Sequence, residues 1–176
     1  MNEHLEETFD HFAYGSNMST RRLRKRCPSA VVVSTGYVVG RKLCFHKIGK
    51  DGTAKADAFW TGDASDVLHG VIYRCNQSDR AMLDRCESIG VGYTTAAVEV
   101  HSSTNDDAHR VFLYEALPSM ISASLRPARW YVEHVLDGAV EHGLPQEYQE
   151  GLKRLIEKSQ AGTVCDCLKK PGGGIV

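Results

Sequence analysis

Apolar positions in the first two thirds of the chain come in short runs rich in β-branched and aromatic residues, which predict strands. Such runs occupy 8–14, 30–39, 41–48, 56–61 and 67–73. Gly49-Lys50-Asp51-Gly52 and Gly62-Asp63 separate neighbouring runs with turn-forming residues. Residues 93–101 and 110–114 pair as a hairpin across the polar loop 102–107. Helical spacing predicts a basic helix over 19–27, stopped by Pro28, and a short helix over 78–87 with Asn76 or Ser78 as its cap. A longer helix follows over 127–142, ended by Gly143, and Leu144-Pro145 opens another that runs to 158. Strands first and helices last predict an α+β fold. So many consecutive strands can also curl into a small mixed β-barrel flanked by helices, which leaves no exposed edge. No repeat or linker interrupts the pattern. The expectation is therefore a single domain over 8–160, with 1–7 and 165–176 as flexible termini, the latter containing Pro171-Gly172-Gly173-Gly174.

Composition narrows the class. Hydrophobic residues at 42% and charged residues at 24% are a globular balance over 176 residues, enough to bury a continuous core. The formal net charge of −1 gives no global reason to expect a polyanionic partner. The opening Met1-Asn2-Glu3-His4-Leu5-Glu6-Glu7 is acidic and carries no apolar run, and no stretch is long and apolar enough to span a bilayer. These features predict a cytoplasmic protein with no membrane partner. The six cysteines, Cys27, Cys44, Cys75, Cys86, Cys165 and Cys167, are irregularly spaced and read as reduced, small apolar side chains. Cys165-Asp166-Cys167 alone is a weak metal signal, so neither a metal nor a cofactor is expected.

Two segments carry candidate chemistry. Tyr14-Gly15-Ser16-Asn17 places a tight turn after a strand and before a helix. Unpaired N–H groups at such a junction suit a carboxylate or a developing oxyanion, and Ser16 and Asn17 add side-chain donors. The same residues also read as an ordinary strand-to-helix turn with a capping side chain; no phosphate-binding glycine fingerprint is present. In Met82-Leu83-Asp84-Arg85-Cys86-Glu87, Leu83 and Glu87 share a helix face, so Glu87 is drawn inward with Leu83. The negative helix end and partial desolvation both favour a neutral acid there, as a general acid/base requires. The competing reading is a Glu87 that is solvated, or paired with Arg85 or another base. Asp84 is placed either to orient or to repel it.

Taken together, these segments resemble the γ-glutamylcyclotransferases, an AIG2-like superfamily. The likeness is carried by Phe12-Ala13-Tyr14-Gly15-Ser16-Asn17-Met18, Arg26-Cys27-Pro28-Ser29-Ala30, Gly70-Val71-Ile72-Tyr73, Leu83 to Glu87, Tyr93, Tyr131, and Gly143-Leu144-Pro145-Gln146-Glu147-Tyr148-Gln149. It implies the small barrel flanked by helices. It also implies cyclisation of a γ-glutamyl amide or γ-glutamyl-amino acid to 5-oxoproline, without a cofactor. By the same resemblance Glu87 is the acid/base, Tyr14, Gly15, Ser16 and Asn17 bind substrate, and Tyr93 and Tyr131 line the pocket. Core packing with a satisfied hydroxyl explains the two tyrosines equally well. Ser88 stands where the family often has glycine, and Asn17 stands where its glutathione-specific branch has leucine, which disfavours glutathione as substrate.

The reaction needs little machinery. The substrate's own α-amine attacks its γ-carbonyl, so the protein holds a folded conformer and moves protons. A different class remains open from sequence: a ligand- or nucleic-acid-binding module of the same fold, using the basic run Arg21 to Arg26. A cyclotransferase for a specialised γ-glutamylated amine is the third reading. Sequence does not set the oligomeric state.

Overall fold

The structure, a computed structural model, describes residues 7–105 and 107–160. Seven strands form: β1 (Thr8–Ala13), β2 (Val31–Val39), β3 (Arg41–Ile48), β4 (Ala54–Trp60), β5 (Val67–Asn76), β6 (Tyr93–Ser102) and β7 (Ala108–Ala116). Five of them close a barrel in the order β1-β5-β2-β6-β7. All neighbours are antiparallel except β1 and β7, which meet in parallel at His11 and Phe112 and complete the ring. The barrel is thus mixed, as expected. Val71, Ile72 and Tyr73 of β5 are fully buried on both faces, which explains the unbroken apolar run there.

Strands β3 and β4 form a separate hairpin, with Leu43 opposite Ala58. A buried polar pair ties it to the barrel. Asp57 Oδ2 lies 2.7 Å from His46 Nε2, and Asp57 Oδ1 accepts from the Ala116 amide of β7 at 2.7 Å. Four helices complete the fold: α1 (Thr20–Leu23), α2 (Arg80–Glu87), α3 (Arg129–Glu141) and α4 (Gln146–Gln160).

The first helix departs from expectation. The helix predicted over 19–27 is a 3-10 turn at Ser16–Met18 followed by a single α-helical turn at Thr20–Leu23. Five cations between Arg21 and Arg26 crowd one another at helical spacing, which weakens a longer helix. Leu23 is fully buried, as its inward position requires. Nor does Asn76 or Ser78 cap α2. Asp79 precedes that helix, and its carboxylate instead accepts from the Ser29 amide and hydroxyl at 3.0 and 2.6 Å. The helix predicted from 127 begins at Arg129, because the preceding segment bridges Ala54 of β4 at Pro127. Cys27 and Cys75 are buried free thiols and Cys86 an exposed one, whereas Cys44 is disulfide-bonded, so the expectation of reduced thiols fails at that position. The predicted flexible termini, and Cys165 and Cys167, lie outside the described residues.

Candidate active site

Strand β1 leads directly into the site. Tyr14, just beyond it, is buried and donates its hydroxyl to the Tyr114 carbonyl of β7. Gly15 has a φ of −108°, outside the left-handed region, so its need for glycine is one of space. A Cβ there would sit 3.0 Å from Ala56 Cβ and 3.6 Å from the Tyr131 hydroxyl. The 3-10 turn follows, and its opening amides, those of Ser16 and Asn17, have no acceptor within it. The turn is clasped from behind. Met18 O accepts from the Tyr73 hydroxyl at 2.7 Å and lies 2.9 Å from His142 Nε2. Helix α3 rests on the turn at Gly138, where a Cβ would come within 2.5 Å of Met18 Cβ.

Helix α2 supplies the facing side. Leu83 is fully buried and anchors it, and Glu87, one turn later on the same face, reaches the site with its side chain 14% exposed. The helix ends at once. Ser88 takes the left-handed conformation with φ 54°, and the Ser88 and Ile89 amides return to the carbonyls of Arg85 and Asp84 at 3.1 and 3.0 Å. Ser88 itself thus makes the turn that closes the helix.

The two sides meet at the carboxylate of Glu87. Asn17 Nδ2 donates to Glu87 Oε1 at 2.9 Å, and Arg26 Nη1 donates to the same oxygen at 2.7 Å. Arg26 Nη1 also donates to Asn17 Oδ1 at 3.0 Å, closing a three-residue clamp. Among the described residues no donor reaches Glu87 Oε2. Glu87 is thus paired with a base, as the competing reading has it, but with Arg26 and not with Arg85. Asp84 neither orients nor repels Glu87 by contact. It pairs with Arg80 at 2.9 Å and accepts from the Tyr114 hydroxyl at 2.7 Å.

Tyr93 and Tyr131 grip Ala56 of β4 between them. Tyr93 donates to the Ala56 carbonyl at 2.7 Å, and Tyr131 accepts from its amide at 3.0 Å. Both hydroxyls are thus engaged by the fold while their rings face the site. Burial pushes the phenols of Tyr14, Tyr93 and Tyr131 up, so all three stay protonated at neutral pH.

The site has two connected parts. A narrow inner pocket of about 40 Å³ is lined by the turn, His11 and Tyr114; a wider outer cleft of about 250 Å³ is bordered by Arg22, Lys47, Lys50 and Trp130. Ser16, Glu87, Tyr93 and Tyr131 line both. The structure thus brings together every residue singled out in the sequence: Tyr14, Gly15, Ser16, Asn17, Glu87, Tyr93 and Tyr131.

Arg26 was not among them, and neither was His11. Arg26 is 61 positions from Glu87, and only its place in a cationic run and in the Arg26-Cys27-Pro28-Ser29-Ala30 segment of the resemblance marked it, neither of which gave it a role in the site. That run does not present a uniform basic face. Arg22 donates to Ser16 Oγ at 3.1 Å, Arg24 to the Ala30 carbonyl at 3.1 Å, and Arg26 to Glu87. His11 is buried among the rings of Phe9, Tyr73, Phe112 and Tyr114, and burial lowers its pKa to about 4. Among the described residues no three His, Cys, Asp or Glu side chains gather as a metal-holding group, and no helix is long and apolar enough to cross a membrane.

Known proteins share this arrangement of chain. The AIG2-like family model matches residues 67–152. A γ-glutamylcyclotransferase of Mus musculus is 33% identical, over 91% of this chain and 85% of that protein. One of Homo sapiens is 30% identical, over 92% of this chain and 86% of that protein. A solved structure of a γ-glutamyl cyclotransferase superposes with a TM-score of 0.75 at 30% identity, covering 84% of this chain and 87% of that one. With identity at this level along nearly its whole length and the same fold, the chain belongs to the γ-glutamylcyclotransferase family, in the AIG2-like group.

Proposed function

We propose that the protein is a γ-glutamylcyclotransferase that converts a γ-glutamyl amide or γ-glutamyl-amino acid to 5-oxoproline and the free amine, with Glu87 as general acid/base. One observation carries the reading: Glu87 is fixed through Oε1 by Asn17 and Arg26, which leaves Oε2 for proton transfer where the inner pocket meets the outer cleft. The glutamyl part, constant in every substrate, occupies the inner pocket. The leaving group, which varies, extends into the cleft.

Each step then has a group to perform it. The α-amine attacks the γ-carbonyl carbon and passes a proton to Glu87 Oε2. The new C–N bond closes the five-membered ring, and charge collects on the γ-oxygen. The amides of Ser16 and Asn17 hold this oxygen or the α-carboxylate. The bond to the leaving nitrogen breaks as Glu87 returns the proton to it, so no water is consumed. Tyr14, Gly15, Tyr93 and Tyr131 bind by shape: the glycine admits the substrate beside Ala56, and the tyrosines wall the pocket. Ring closure within one bound molecule supplies the entropic part of the rate.

The test is 5-oxoproline release from γ-glutamyl-alanine by wild-type protein and Glu87→Gln. The amide keeps the shape and still accepts from Asn17 and Arg26. The expected loss in kcat is about 10²–10⁴-fold, with the folded state intact by circular dichroism. Undiminished turnover in the variant would remove Glu87 from the chemistry.

A further inference from the structure

The outer cleft is more cationic than cyclisation requires. It is lined by Arg22, Arg26, Lys47, Lys50 and Lys55, against only Asp51 and Glu87. Two of the five are already balanced: Arg26 by Glu87 at 2.7 Å and Lys55 by Asp51 at 2.8 Å. Arg22, Lys47 and Lys50 have no carboxylate within ion-pair distance among the described residues. Arg22 donates to the neutral Ser16 hydroxyl and lies 5.7 Å from the centre of the Trp130 ring. Lys47 is 6% exposed, with Nζ 4.7 Å from the centre of the Tyr93 ring. A buried ammonium without a counter-ion is unfavourable unless a ligand supplies one.

The ligand's charge can be apportioned. The glutamyl end carries one ammonium and one carboxylate and is neutral as a whole. Any net negative charge must therefore come from the leaving amine. A neutral amino acid brings one carboxylate to three uncompensated cations, whereas an acidic amino acid brings two. A polyamine would add positive charge and be repelled. Resting on the cyclotransferase reading, we propose that the outer cleft selects substrates whose leaving group is an acidic amino acid, as in γ-glutamyl-glutamate and γ-glutamyl-aspartate. Arg22, Lys47 and Lys50 are its specificity-determining residues. Arg22 stands against Trp130, which also lies 5.0 Å from Lys55 Nζ, and Lys47 against Tyr93, so the leaving side chain lies along an aromatic wall with its carboxylates held by the cations beside it.

The decisive comparison is γ-glutamyl-glutamate against γ-glutamyl-glutamine, which match in size and differ by one charge, with γ-glutamyl-alanine as the neutral reference. Wild-type protein should favour the acidic substrate in kcat/KM by about tenfold or more, chiefly through KM, and the preference should shrink as salt is raised and exposed charges are screened. Lys50→Gln, at an exposed position where folding is not at stake, should cut the preference about threefold, and Lys47→Gln should cut it further. Equal kcat/KM for the acidic and amide substrates, with 5-oxoproline formed from all three, would overturn the acidic selectivity and leave the cyclotransferase reading standing. Absence of 5-oxoproline from all three would overturn that reading, and the selectivity with it.

Discussion

Two side chains placed by the fold behave unlike their exposed counterparts. His11 is fully buried, and neither ring nitrogen has a partner among the described residues. Burial lowers its folded pKa to about 4, below its ordinary 6.5. The unfolded chain therefore binds the extra proton first as pH falls. Stability that is whole above pH 6.5 is lost progressively down to about pH 4, by up to about 3 kcal/mol from this residue. Melting temperatures of wild type and His11→Leu from pH 7.5 to 4.5 test this: the variant should show a shallower fall across that window, and parallel curves would refute it. Ser88 offers the opposite opportunity. A left-handed conformation costs an L-residue roughly 1–2 kcal/mol, part of which glycine gives back in unfolded-state entropy. Ser88→Gly should therefore raise stability by about 0.5–1 kcal/mol in urea titration, and a fall in midpoint would show that the hydroxyl contributes more than the backbone strain costs.

Among elements, the contact that matters most for the site is α3 on the 3-10 turn at Ser16–Met18. Gly138 admits Met18 there with no room for a methyl group. Gly138→Val must push the turn aside or tilt the helix, at a cost of about 1–3 kcal/mol. Activity should fall by more than the stability loss explains, because Asn17 moves with the turn and takes one donor from Glu87. Turnover at a temperature where the variant is fully folded measures this, and normal kcat there would uncouple the helix from the site. What was legible at this scale followed from local order. Strand runs, the α2 helix and the inward position of Glu87 depend on neighbours two to four residues apart, and these the chain displays openly. The first helix was misjudged because a basic run with one buried leucine has helical spacing but repels itself. Asn17 and Arg26 meet Glu87 across 70 and 61 positions, and no local period encodes that meeting. The glutamate could be singled out, but its clamp could not.

Over the whole molecule, a net charge of −1 conceals a cleft in which five cations outnumber two carboxylates. A cleft walled by low-dielectric protein concentrates such a local field, so selection of an anionic leaving group needs no overall basic protein. Composition could not reveal this, because Arg22 lies in the first helix while Lys47 and Lys50 lie on the β3–β4 hairpin and the turn within it, and only the fold sets that hairpin beside the helix. The closure itself has a cost in time. The first strand pairs with β5 on one side and, through His11 and Phe112, with β7 on the other, and the turn after it is seated on a helix ending at Glu141. During synthesis at about 5–20 residues per second, the segment that will hold substrate leaves the ribosome on the order of 10 s before its last partner. Until β5 and then β7 follow it out, Phe9 and Phe12 belong to an apolar strand without its partners, the feature that chaperones shield and aggregates recruit. The yield of active protein should therefore respond to translation speed and chaperone supply as well as to the stability of the finished barrel.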